Sequence, residues 1–247
     1  MRRQAVRLWV CAMMAVSASV GAEADCVDPA TLVGTTVNIA RTFDGAQDRA
    51  NGDPYGIAGT AWFLSPSLVV TAEHVAVSMR LSERDWKEVA FHEKGKKAAV
   101  PVRIAQRLGS GEEKIAVLEL RSRYSGAAAL PTRSTPLVAD EPVSSLAYPD
   151  LRLRFAGGRF VRFETDAALA GAALLEMHDG DDRFVLDHGA SGAPVLDCDG
   201  HVVAVVTNVL SQTIEMFSET VRVSSPWQTP NVVAVPPAPF ARLVPAR

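Results

Sequence analysis

An all-β fold is predicted by three observations on this 247-residue sequence. After Cys26, short apolar runs recur along the chain, punctuated by Gly, Pro, Asn and Asp. Few stretches carry the helical apolar period. The runs number about a dozen, which suits two barrels or a sandwich better than an α/β arrangement.

The elements follow in order. Leu32 to Ile39 reads as a first strand, and the polar, turn-rich Arg41 to Gly56 as a long exposed loop. Gly59 to Leu64 and Leu68 to Thr71 flank Ser65-Pro66-Ser67, so they form a hairpin that leads into Thr71-Ala72-Glu73-His74. Glu88 to His92, Ala99 to Ala105 and Ile115 to Leu120 complete the first half, about residues 30–121. Ser122 to Glu141 is again turn-rich and reads as a connection. The second half, about 142–235, holds Val143 to Ala147, Phe160 to Glu164, Leu169 to Met177, Phe184 to Leu186, Ala193 to Leu196, Val202 to Val209, Ile214 to Val223 and Asn231 to Val235. The tail from Pro236 reads as a short helix or a segment draped over the surface.

At the N-terminus, Arg2, Arg3 and Arg7 precede an apolar run from Leu8 to Val20, followed by the small residues Gly21 and Ala22. This is the pattern of a cleaved secretory signal over 1–22, leaving 23–247 as the mature domain, with cleavage after Ala22 or Ala24 equally defensible. A membrane anchor would need about 20 apolar residues, more than the run supplies, so no stable span is expected after cleavage. Losing those three arginines and no acid takes the net charge from −3 to about −6. With no basic run interleaved with aromatics, nucleic acid is not an expected partner. Of three cysteines, Cys11 leaves with the signal, and Cys26 with Cys198 reads as one disulfide in an oxidising compartment or as two free thiols.

Chemistry is suggested by Leu186 to Asp197, LDHGASGAPVLD. Gly189 and Gly192 can adopt backbone conformations closed to other residues, and Ala190 and Ala193 keep bulk away from Ser191. Such a turn exposes a hydroxyl and aims successive N–H groups at one point, as acyl transfer requires of a nucleophile and its oxyanion donors. His92, His178 and His201 show no metal-ligand spacing, so neither metal nor other cofactor is expected.

The histidine block GTAWFLSPSLVVTAEHV, Gly59 to Val75, and the block Gly189-Ala190-Ser191-Gly192-Ala193-Pro194 together resemble those of the trypsin-like serine peptidases, in the family's order. The resemblance implies two six-stranded antiparallel β-barrels with the active-site cleft between them. It further implies a serine endopeptidase acting on polypeptides, with His74 as general base, Ser191 as nucleophile and the backbone N–H groups of Gly189 and Ser191 as the oxyanion hole. The substrate pocket would draw on Val185, His188, Val206 and Thr207, without a charge that demands a basic side chain. Ala190 replaces the aspartate that pairs with a freed N-terminus in many animal members, which implies another route to activation.

The match fails at the third catalytic position. The family's acid opens a strand of the form D-I-A-L-L-K-L, and here Lys114 opens KIAVLEL. A cation cannot orient the imidazole and opposes the imidazolium that forms during turnover. Glu113 would face the opposite side of a regular strand, whereas Glu112 has the right parity but lies farther back. A bulge near Gly109-Ser110-Gly111 would let Glu113 complete the triad. The alternatives are a His74–Ser191 dyad and a catalytically degenerate relative that uses the cleft as a binding module.

Overall fold

The computed structural model describes residues 26–242 except 33, 44–55, 94, 111–112, 166–168, 210, 217–218, 225–229 and 237; the signal read at 1–22 lies outside them. Strands β1 (Thr36–Thr42), β2 (Gly56–Ser65), β3 (Leu68–Ala72), β4 (Lys87–Glu93), β5 (Lys96–Ser110) and β6 (Glu113–Leu120) close an antiparallel barrel in the order β1-β2-β3-β6-β5-β4. A second barrel comprises β7 (Pro142–Ala147), β8 (Arg154–Phe163), β9 (Ala173–His178), β10 (Pro194–Leu196), β11 (Val202–Val209) and β14 (Val232–Val235). Its order is β10-β11-β14-β9-β8-β7. The hairpin of β12 (Ser211–Met216) and β13 (Glu219–Ser224) stands apart from both. Two antiparallel six-stranded barrels are the architecture implied by the sequence.

The strands read as nearly continuous apolar runs because several are buried on both faces. In β2, Ala61 and Phe63 enter the core of the first barrel, while Trp62 and Leu64 join a separate cluster. In β6, Ala116, Leu118 and Leu120 point inward and Ile115 and Val117 outward. The outward residues meet Leu146, Leu196, Val202, Val205 and Val235 of the second barrel, so this cluster is the seam between the two. Pleat alternation thus divides residues between core and seam rather than core and water. The disulfide Cys26–Cys198 ties the N-terminal segment to the turn after β10.

Four expected strands differ from those observed. Leu32 ends a 3₁₀ turn, and β1 starts only at Thr36 after Gly34 takes φ of 81°. Leu169 belongs to a turn closed by the Ala172 N–H on the Leu169 carbonyl, ahead of β9. Phe184 to Leu186 forms no ladder: these residues are apolar because they pack on the second core, not because they pair. Ile214 to Val223 folds back on itself, with Met216 opposite Glu219, so its two halves satisfy each other's backbone groups. The tail carries a 3₁₀ segment, Ala238–Arg242.

The turn containing Ser191 crosses the seam. Its Ser191 carbonyl accepts the Thr60 N–H of β2 at 2.9 Å. Gly192, at φ of 94°, lies so close to the first barrel that a Cβ would strike the Thr60 carbonyl and Thr71 Oγ1. Gly192→Ala is therefore expected to destabilise the protein by about 3 kcal/mol or more, combining left-handed strain with the clash. Denaturant unfolding checks this; an unchanged midpoint would mean that the turn does not seat on β2.

Candidate active site

His74 is positioned by the end of β3. That strand is wholly buried, and the chain leaves it through Ala72 into α1 (Glu73–Ser78). Val75, Ala76 and the following Met79 enter the first core, which turns His74 outward. Gly59 makes room for the helix: a Cβ there would come within 2.7 Å of Val75 Cγ1. Glu73 is not a solvated charge, since its Oε1 accepts Arg107 Nη1 at 2.8 Å, tying α1 to β5. The imidazole keeps an exposed edge, yet partial burial desolvates it and lowers its pKa below the ordinary 6.5. Among the described residues, no hydrogen bond joins it to Ser191 or to a carboxylate.

Ser191 is held by second-barrel backbone. Gly192 N–H donates to the Val206 carbonyl at 2.7 Å, and Val206 N–H to the Ala193 carbonyl at 2.9 Å. The Ser191 hydroxyl donates to the Thr207 carbonyl at 3.2 Å. Gly189 takes φ of 96°. Within this turn, Ala190 N–H donates to the Asp187 carbonyl and Ala193 N–H to the Ala190 carbonyl, each at 2.9 Å. Among the described residues, the N–H groups of Gly189 and Ser191 have no acceptor. Because a trans peptide points its C=O and N–H in opposite directions, a bonded Ala190 carbonyl turns the Ser191 N–H away from the turn's interior.

At the third position the ladder is regular. Leu108, Gly109 and Ser110 of β5 pair with Ile115, Lys114 and Glu113 of β6 without a register shift, and Ala72 pairs with Ile115. The bulge that would present Glu113 is therefore absent from the described ladder. Strand alternation puts Lys114 in register with Ala116 and Leu118. The Glu113 side chain and all of Glu112 lie outside the described residues.

The four pocket candidates separate. The His188 side chain is 98% exposed, whereas Val206 lies in the core of the second barrel. Thr207 is buried, with Oγ1 on the Val233 carbonyl. Val185 is half-buried and lines a cavity of about 560 Å³ with Phe184, Asp187, Asp150, Arg152 and Arg154. Asp197, Asp199 and His201 cluster elsewhere, but Asp197 already serves Arg133 and the N–H groups of Asp199 and His201.

Sequence reasoning overlooked Thr60, whose only signal was a polar residue in an apolar strand, and Tyr148 and Asp150, which approach the serine turn only in three dimensions.

The family described as the trypsin-like peptidase domain matches residues 59–205. No functionally curated protein matches the sequence. Among solved structures, the active form of the Rv3671c protease from M. tuberculosis is 15% identical, with a TM-score of 0.55 over 86% of this chain and 80% of that one. The serine endoprotease from Yersinia pestis is 13% identical, with a TM-score of 0.52 over 85% of this chain and 61% of its own. An HtrA-type protease determined with a tripeptide is 14% identical, with a TM-score of 0.51 over 83% and 56%. At these identities the likeness is one of fold. The family match, however, takes in more than half of the sequence and both of its blocks, and the chain belongs to the trypsin-like peptidase domain family.

Proposed function

We propose that this protein is an exported serine endopeptidase in which His74 and Ser191 work as a dyad, with Lys114 in the register of the usual acid. The observation that carries the reading is the turn at Ser191, where the Gly189 and Ser191 N–H groups, on either side of the bonded Ala190 N–H, have no acceptor among the described residues and lie beside an exposable hydroxyl. In the first step Ser191 leaves the Thr207 carbonyl, a neutral hydrogen bond worth about 1 kcal/mol, and attacks the substrate carbonyl as His74 takes its proton. The developing oxyanion is received by the two free N–H groups. His74 then returns the proton to the leaving amine, and a water molecule repeats the sequence on the acyl-enzyme. The substrate is a polypeptide, and no cofactor takes part. Export is supported by the basic and apolar leader together with the Cys26–Cys198 disulfide.

Lys114 favours a second reading, a cleft that binds polypeptide without cleaving it. A fluorophosphonate probe separates the two: covalent labelling of mature protein that Ser191→Ala abolishes is expected, and a folded protein that stays unlabelled would leave only the binding module.

The desolvated His74 remains neutral to lower pH than an ordinary imidazole, so activity is expected to fall only as pH drops through a midpoint below 6.5. A rate–pH profile with its acid limb at or above that value would contradict this. Lys114→Asp is expected to raise kcat/KM by about tenfold or more and to move the acid limb upward, because a carboxylate stabilises the imidazolium that the lysine opposes. Glu113→Gln is expected to change kcat/KM by less than about threefold; a loss of about a hundredfold or more would instead give the third place to Glu113.

A further inference from the structure

We propose that Thr60 is a positioning residue for the oxyanion hole, acting from the first barrel on a peptide of the second. The inference rests on the peptidase reading above and gives Thr60, the second residue of the histidine block, a role that the resemblance does not assign to it.

Gly189 is the weak point of the hole. A glycine at φ of 96° has no Cβ to resist rotation of its two flanking peptides, so the direction of its N–H depends on what holds the neighbouring carbonyls. The His188 carbonyl, whose peptide carries the Gly189 N–H, accepts Asp150 N–H at 3.2 Å. The Gly189 carbonyl accepts Thr60 Oγ1 at 2.7 Å, the shorter of the two bonds. Since the C=O and N–H of a trans peptide are antiparallel, the bond to His188 directs the Gly189 N–H away from Asp150. The bond from Thr60, with that of Ala190 N–H to Asp187, fixes the next peptide. Together they lock Gly189 on both sides.

The Thr60 hydroxyl has a defined direction. It accepts the Tyr148 N–H at 3.0 Å, which uses a lone pair and leaves its single proton for Gly189. The Thr60 N–H holds the Ser191 carbonyl at 2.9 Å, and its own carbonyl accepts Thr71 Oγ1 at 2.7 Å. Every polar atom of this buried residue is engaged, and three of its four hydrogen bonds reach segments of the second barrel. Removing the hydroxyl strands the Gly189 carbonyl and the Tyr148 N–H in a desolvated place, and turning the glycine peptide is the least hindered way to satisfy them.

The test is inactivation of the full mature chain by a fluorophosphonate, with kinact and KI resolved by varying probe concentration and folded fraction fixed by thermal unfolding. Thr60→Val is expected to lower kinact by about tenfold or more, with KI held within about twofold, because the phosphonyl oxygen needs the same donors as an acyl oxyanion. Thr60→Ser, which keeps the hydroxyl, is expected to recover kinact to within about threefold of the unmodified protein. A folded Thr60→Val protein with unchanged kinact overturns the inference, as does Thr60→Ser slowed equally, which would make the methyl group the cause. If Thr60→Val does not fold, Thr60→Ala against Thr60→Ser reads the same contrast: equal rates overturn the inference, and a slow alanine variant supports it. An unmodified, folded protein that resists the probe overturns the peptidase reading itself and takes this inference with it.

Discussion

The seating of the serine turn on the first barrel is the contact on which the site depends. The turn at Gly189 to Gly192 has little side-chain volume of its own, and its shape is held by hydrogen bonds to Val206, Asp187 and Thr60. Gly192 is required because the Thr60 carbonyl and Thr71 Oγ1 occupy the space a Cβ would need. Thr60 reaches two carbonyls of the turn, one through its N–H and one through its hydroxyl. Ser191 and the N–H groups beside it thus belong to one barrel in sequence and are aligned by the other.

The seam beneath this turn is a buried apolar cluster. Trp62, Val70, Ile115 and Val117 from one barrel meet Leu196, Val202, Val205 and Val235 from the other. Apolar burial is non-directional and holds the barrels together, while the hydrogen bonds above it, stronger in a low-dielectric setting, set the register of the turn. The Arg107–Glu73 pair contributes less to the placement of His74, being partly exposed; the burial of Val75, Ala76 and Met79 fixes α1.

Electrostatics around His74 run in one direction. Partial burial favours the neutral ring, which suits a base awaiting a proton, and a lysine at the start of β6 adds no compensation for the imidazolium that follows. In the trypsin-like arrangement a carboxylate both orients the ring and stabilises that cation. On the dyad reading proposed above, the oxyanion donors would supply a larger share of the rate, which raises the importance of whatever keeps Gly189 in place.

Much of the architecture was legible in the chain itself. Runs such as Phe63-Leu64 and Val69-Val70 announced strands, and the two barrels with a cleft between them came through the family resemblance that the blocks around His74 and Ser191 carry. Apolarity alone misread Phe184 to Leu186, which is buried without pairing, and Ile214 to Val223, which reverses within one run. At the site, sequence determined the residue types: a serine between glycines, a histidine after a buried strand, and a lysine at the start of β6. Only the tertiary structure decided which groups they meet, that Glu113 and Lys114 pair with β5 without a register shift, that Val206 turns into the core and that a threonine 131 positions before Ser191 holds its turn. The physical reason is that pattern and propensity act between chain neighbours, whereas a hydrogen bond across a seam depends on how two separately closed barrels dock.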